Sequence, residues 1–298
     1  MLLRHASWTL AAAALFLVGC KNNNDSVAVT ATDSYLVTSG NRLVSLDLLT
    51  SGSLPVSLSI SGLAAGERIA GIAFRPNDGL LYGLVVNGSS GRLVVIDPLS
   101  GSTTAVSTLS ADSTDSTAPF TTLSGTRFGI DFNPVVDRLR VVSDTGENLR
   151  INVATGATIT DTALNGVSTG ATAAAYTNAF NAACRTALFS IDPASDRLLL
   201  QSPPNDGVLT AVGGLGIDAT SVSGFDVATS ATGTNTAYAV LTTSDGTRIY
   251  TINTTTGAAT AGTGIGLSPG ETAVGFATRP QAVTPAQAAG ELVGLTTA

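Results

Sequence analysis

FGIDFNPVVDRLRVVSDTGENLRIN, residues 128–152, contains a whole structural unit in miniature. Apolar and polar residues alternate through FGIDFN, as they do in a half-buried strand. A turn containing Asp137 follows, then a second strand, LRVVS from Leu139. The polar DTGE at Asp144 leads into a third strand, NLRIN from Asn148. That strand runs into Asn152-Val153-Ala154-Thr155-Gly156, where the Asn side chain can bond the backbone and the Gly can take positive φ. A short fourth strand, ATITD, closes a four-stranded meander.

The same unit recurs along the chain. Gly71-Ile72-Ala73-Phe74-Arg75-Pro76 opens one copy, Ala173-Ala174-Ala175-Tyr176 another, Gly224-Phe225-Asp226-Val227 a third, and Gly275-Phe276-Ala277-Thr278-Arg279-Pro280 a last. With Gly129, the starts fall at 71, 129, 173, 224 and 275, at gaps of 58, 44, 51 and 51 residues. Thr, Ser, Gly, Ala and Val dominate, and no long stretch before residue 280 shows a helical period. PAQAAGELVG near the C-terminus could make a turn or two of helix. A β unit repeating near every 50 residues predicts an all-β propeller of four-stranded blades.

The chain ends complete one another. SYLVTS, RLVSLD and SLPVSLS supply second, third and fourth strands with no opening strand, whereas the copy at Gly275 has an opening strand with nothing after it. Joining them closes a ring of five blades and removes two open sheet edges. Six blades would require an unrecognised one, most plausibly in Leu109–Arg127. An open solenoid or a pair of β-sandwiches is the competing architecture.

Ahead of the repeats, Arg4 and His5 precede the short apolar run Leu10–Val18, followed by Gly19 and Cys20. The run is too short to span a bilayer and has the form of an export signal. Leu17-Val18-Gly19-Cys20 resembles a bacterial lipobox, which implies acylation at Cys20. The expected divisions are a lipoprotein signal at 1–19, an acylated Cys with a flexible tether at 20–33, the propeller at 34–280 and a tail at 281–298. The expected location is the cell envelope, held to a bacterial membrane by the lipid.

Composition restricts the chemistry. The single His, single Trp and single Met all lie in the signal, and Lys21 is the sole lysine. No His remains for a triad or a His-ligated metal. The net charge of −7 argues against nucleic acid. No metal or cofactor is expected, and the exported part is expected to be a monomer. Cys184, the remaining cysteine, is expected to be a small buried apolar residue.

Several residues invite a site. Asp131 and Asp226 occupy equivalent positions in their opening strands, where Ala73, Ala175 and Ala277 stand in the other copies, so the two carboxylates could face one axial cavity. They could hold Ca²⁺ or act as an acid/base pair, although cross-bonding to backbone or Arg is the plainer expectation. Arg75, Arg127, Arg138, Arg140 and Arg279 invite an anion-binding reading, Arg75 and Arg279 in the same channel as the carboxylates, although ion pairing is the plainer expectation. Arg138 and Arg140 share one strand face and are expected to pair with residues such as Asp137 or Glu147. Asp144–Glu147 is expected to be a hairpin turn, and Gly213-Gly214-Leu215-Gly216 is weak as a phosphate loop because neither Lys nor helix follows it.

The run at 128–152 is similar to the signature of a bacterial family, domain of unknown function family 4394. GIAFRPNDGLLYGL, AAAYTN, QSPPNDGVLTAVGGLGID and SGFDV resemble its other segments in the same order, over about residues 34 to 278. The resemblance implies a secreted or surface protein with propeller-like repeats, and carries no catalytic residues. The leading expectation is a non-catalytic binding or scaffold module for a protein or glycan. The alternative is a carbohydrate-active enzyme of glycoside hydrolase type using paired carboxylates.

Overall fold

The computed structural model describes residues 34–48 and 56–281. The export signal, Cys20, the tether and PAQAAGELVG lie outside them. The described chain is a β-propeller of five blades. Blade II contains Arg68–Phe74, Leu81–Asn87, Ser90–Ile96 and Thr103–Thr108, in that order from axis to rim. Blade III runs Phe128–Asn133, Arg138–Ser143, Asn148–Ile151, Ala157–Thr160, blade IV Ala173–Tyr176, Leu188–Asp192, Arg197–Gln201, Val208–Gly214, and blade V Ser221–Thr229, Asn235–Thr243, Gly246–Ile252, Ala259–Gly264.

Blade I is composite, as the complementary ends predict. Ala273–Thr278 is its inner strand and pairs antiparallel with Ser34–Thr38, placing Tyr35 opposite Ala277 and Leu36 opposite Phe276. Arg42–Leu46 and Ser57–Ser59 complete it. The ring therefore has five blades and not six. In the stretch Leu109–Arg127, Ser110–Ala111 runs parallel to the outer strand of blade III, and Phe120 and Leu123 are buried beside Tyr82 and Leu139. That segment is a fastening between blades II and III.

Strand alternation decides which blade each side chain meets. Tyr35 and Val37 join Ile72 and Phe74 of blade II, whereas Leu36 faces the other way and joins Val240 and Ile249 of blade V. In blade IV, Ala174 and Tyr176 pack toward Val142 of blade III, and Ala173 and Ala175 toward Phe225 and Val227 of blade V. One apolar cluster fills each of the five interfaces, so no blade has a core of its own.

The Asx-to-Gly turns fasten the rim. Gly101, Gly156 and Gly257 have φ of 73°, 75° and 83°. Each amide donates to the carbonyl four residues back, at Asp97, Asn152 and Asn253. Each also lies against the chain arriving from the preceding blade: a Cβ at Gly101 would stand 2.6 Å from the Ser59 carbonyl oxygen, and one at Gly156 would collide with that of Thr108. Gly213 meets the Thr256–Gly257 turn in the same way, so the Gly213-Gly214 pair is a site of close backbone approach.

Gly79 has similar backbone (φ 70°) but nothing within 4 Å of its Cβ position. Gly79→Ala is therefore expected to cost only the left-handed backbone strain, roughly 1 kcal/mol, and Gly156→Ala about 3 kcal/mol or more because strain and overlap combine. Urea unfolding of the two variants checks the order; equal losses would show that the Thr108 contact yields freely.

Two expectations need correction. Cys184 is exposed, not buried. It sits in the irregular link between the first two strands of blade IV, outside the alternation that carries side chains into an interface. Arg140 pairs with neither Asp137 nor Glu147; its partner is Asp161. Arg138 is exposed and donates only to the carbonyl of Asp137. Residues 144–147 do form a hairpin turn, with Gly146 at φ 85°.

Candidate functional site

The five inner strands surround the axis and build it in layers two residues apart. Gly71, Gly129, Ala173, Gly224 and Gly275 form a ring at mid-height. A Cβ at Gly129 would stand 2.6 Å from Cα of Ala173, and one at Gly224 would stand 2.5 Å from the Phe276 nitrogen. At Gly129, Gly224 and Gly275 the small residue is thus required by close approach to the backbone of a neighbouring inner strand, whereas at Gly71 the space is taken by the Ile130 side chain. The space left in this ring is about 10 Å³, room for one water at most.

Asp131 and Asp226 lie in the next layer and are buried. Side chains of an inner strand project toward neighbouring blades, so each carboxylate points at the next inner strand. Asp131 Oδ1 accepts its neighbour's Phe132 N–H at 2.7 Å, and Oδ2 accepts the Tyr176 N–H of blade IV at 2.5 Å. Asp226 Oδ1 accepts the Val227 N–H at 2.7 Å, and Oδ2 accepts the N–H and hydroxyl of Thr278 in blade I at 2.6 and 2.7 Å. Both carboxylates bridge blades by satisfying strand-edge N–H groups.

Burial raises the pKa of Asp131 well above the usual aspartate range, with a further push from the charge of Asp226. Burial likewise raises Asp226. A raised folded-state pKa means that the native protein holds protons the unfolded chain releases. This stability is full below the unfolded value near ~3.9 and is lost as pH rises through the folded value. Glu67 has the opposite sign: the Arg92 guanidinium and the Ala64 N–H hold it at about 2, so its contribution is lost as pH falls toward 2. The melting temperature is expected to decline as pH rises above about 4 in the wild type, and less steeply in Asp131→Asn. Parallel profiles for the two proteins would show that the pair does not titrate in this window.

Arg75 and Arg279 stand at the far ends of their inner strands and are engaged structurally. Arg75 bridges to Asp137 of blade III through Nε at 2.8 Å and Nη2 at 2.5 Å, and to Asp78 through Nη1 at 2.8 Å. Arg279 lies 5.0 Å from the centroid of Phe74 and 5.8 Å from that of Tyr35. Both tie one blade to the next, so the four candidates do not assemble into one open site.

At the opposite mouth, before the glycine ring, lies a pocket of about 120 Å³ of which the residue patterns signalled only Arg127. Four of the five inner strands contribute to its wall, and Thr172, just before the inner strand of blade IV, completes it. Its polar lining includes Arg68, Arg127, Thr126, Thr172, Ser221 and Ser223.

A second unforeseen feature is buried between blades III and IV. Arg140 donates to Asp161 and to the side-chain oxygens of Asn148 and Asn205, at 2.6, 2.8 and 2.7 Å. Gln201 donates to Asn148 and to the Pro204 carbonyl. The runs beginning at Phe128 and Gln201 therefore meet here, around a buried arginine.

The fold and its axis together define a five-bladed β-propeller with a channel closed at mid-height. A chain in a crystal structure of a nidogen/laminin complex is similar in fold, with a TM-score of 0.50 and 11% identity over 84% of this chain and 99% of that chain. No match is found among curated proteins. The family model described as Domain of unknown function (DUF4394) matches residues 42–282, and the chain belongs to that family.

Proposed function

We propose that this protein is a non-catalytic binding or scaffold module of the cell envelope, anchored through an acylated Cys20, with a protein or glycan as its ligand. The observation that supports a binding over a hydrolytic reading is the bonding of Asp131 and Asp226. Each uses both oxygens for neighbouring N–H groups and bridges two inner strands. A glycosidase needs one carboxyl group free to protonate a leaving group and another facing the sugar or its attacking water. A five-bladed ring, by contrast, holds two broad loop faces rigidly and suits recognition; this step rests on fold-level analogy.

The test uses the purified full chain on a glycan array and on a panel of chromogenic glycosides. Binding without turnover is expected. Turnover that disappears in Asp131→Asn or Asp226→Asn would establish the hydrolase reading instead. Anchoring is checked by metabolic labelling with a fatty-acid analogue: the wild type is expected to take up label and Cys20→Ala to lose it, and equal label in both would refute the anchor.

A further inference from the structure

We infer that the pocket at the Arg68–Arg127 mouth of the axis binds an oxyanion, a carboxylate or phosphate, presented as the end group of a small ligand or chain. The inference deepens the binding-module reading and rests on it. Three independent features of the structure support it.

The first is unpaired positive charge. Arg42, Arg75, Arg92, Arg140 and Arg150 all have a carboxylate within ion-pair distance. Arg68 and Arg127 have none, a property they share among the described residues with Arg138, Arg197 and Arg248, but these two stand together at one mouth of the axis. Arg68 donates Nη2 to the Thr126 carbonyl at 3.0 Å, which holds the guanidinium at the rim while Nε and Nη1 stay available. Arg127 is exposed at the same mouth. Two guanidinium groups with free N–H edges suit a carboxylate or phosphate.

The second is an unpartnered donor. Thr172 lines the pocket and is only 7% exposed, yet its hydroxyl has no hydrogen-bond partner. A buried hydroxyl left unsatisfied is unfavourable by about 1–3 kcal/mol, so the wall of the pocket holds a polar group with bonding capacity to spare.

The third is backbone shape. Three of the five inner strands carry a β-bulge at this level. The register skips Ala70 in blade II, Ser223 in blade V and Val274 in blade I, and all three extra residues line the pocket. Bulges bend a strand and redirect its side chains, and they recur beside functional sites. Here they lie at the pocket, directly above the glycine ring. Because the ring closes the axis beneath, a ligand must enter and leave by one mouth. A polymer could insert an end but could not thread through.

The test is a ¹H–¹⁵N chemical-shift titration of the full chain carrying Cys20→Ala, with acetate, glucuronate and inorganic phosphate as separate probes. Shifts are expected at Thr126–Phe128, Thr172 and Ser221–Ser223, with Kd in the millimolar range. The tighter arm identifies carboxylate or phosphate as the natural group. Arg127→Gln and Arg68→Gln should each weaken binding about tenfold, the loss of one charge-assisted contact. Thr172→Val should weaken it severalfold without lowering the melting temperature, since it removes a donor that has no partner in the free protein; a merely structural hydroxyl would destabilise on removal. The inference is overturned if no probe moves these amides at about 50 mM, or if Arg127→Gln and Thr172→Val bind as the wild type does. Glycan or protein binding that survives in those variants would sink this site and leave the binding-module reading intact.

Discussion

Deleting residues 271–298 abolishes the single cooperative unfolding transition. The deletion removes Ala273–Thr278, the inner strand of blade I, and leaves Ser34–Thr38 as an open edge that is fully buried in the intact ring. It also removes Phe276 and Ala277 from the clusters between blade I and its neighbours on either side. Phe276 is 3% exposed, and truncating such a side chain alone costs about 3–5 kcal/mol. Adding the lost strand ladder brings the total to the order of a whole domain's stability, about 5–15 kcal/mol. The expected result is an aggregating chain, or one with a broad, non-cooperative melt and dye-accessible apolar surface. An open array would lose only the contacts of one terminal strand. A sharp transition near the wild-type midpoint would contradict closure of the ring. Phe276→Ala supplies the graded comparison in a chain whose ring stays closed.

Asp161→Ala is expected to cost about 3–5 kcal/mol, far beyond the effect of an ordinary surface ion pair. The Asp161 side chain is 6% exposed and accepts from Arg140 Nη1 at 2.6 Å and from Arg150 through Nε and Nη2 at 2.6 and 2.8 Å. Removing it strands the Arg140 charge, whose side chain is 2% exposed, among the neutral oxygens of Asn148, Asn205 and Tyr176. Arg140→Met should be milder, because Asp161 keeps Arg150 and no unpaired charge stays buried. Denaturant midpoints of the two variants give the comparison. Equal losses would mean that the amide contacts, and not the charge pair, carry the energy.

The legibility of the sequence follows from how local each feature is. The turn at Asn152–Gly156 involves five consecutive residues, so its Asx bond and its left-handed glycine are written in one short window. The small residue, Gly or Ala, that opens each repeat was visible as a regularity, but its reason was not. It lies in backbone contact with another inner strand, as at Gly129 against Ala173. Asp131 and Asp226 stood out because they replace Ala, and the plainer expectation for them matches the bonds they make. What spacing could not give is direction: alternation along an inner strand sends their carboxylates to the next blade and not down a shared cavity.

The sequence by itself determined the strand alternation, the turn positions, the repeat of near 50 residues and the split blade that closes the ring. All depend on neighbours within one unit or on counting units. The tertiary structure alone decided which charges remain free. Arg75 is neutralised by Asp137, 62 residues away, and Arg140 by Asp161 across the blade, whereas the guanidinium groups of Arg68 and Arg127 have no carboxylate within ion-pair distance. The mouth draws its wall from five separate repeats, and three single-residue bulges shape it. No short window of sequence contains such a site, because its residues become neighbours only when the ring has closed.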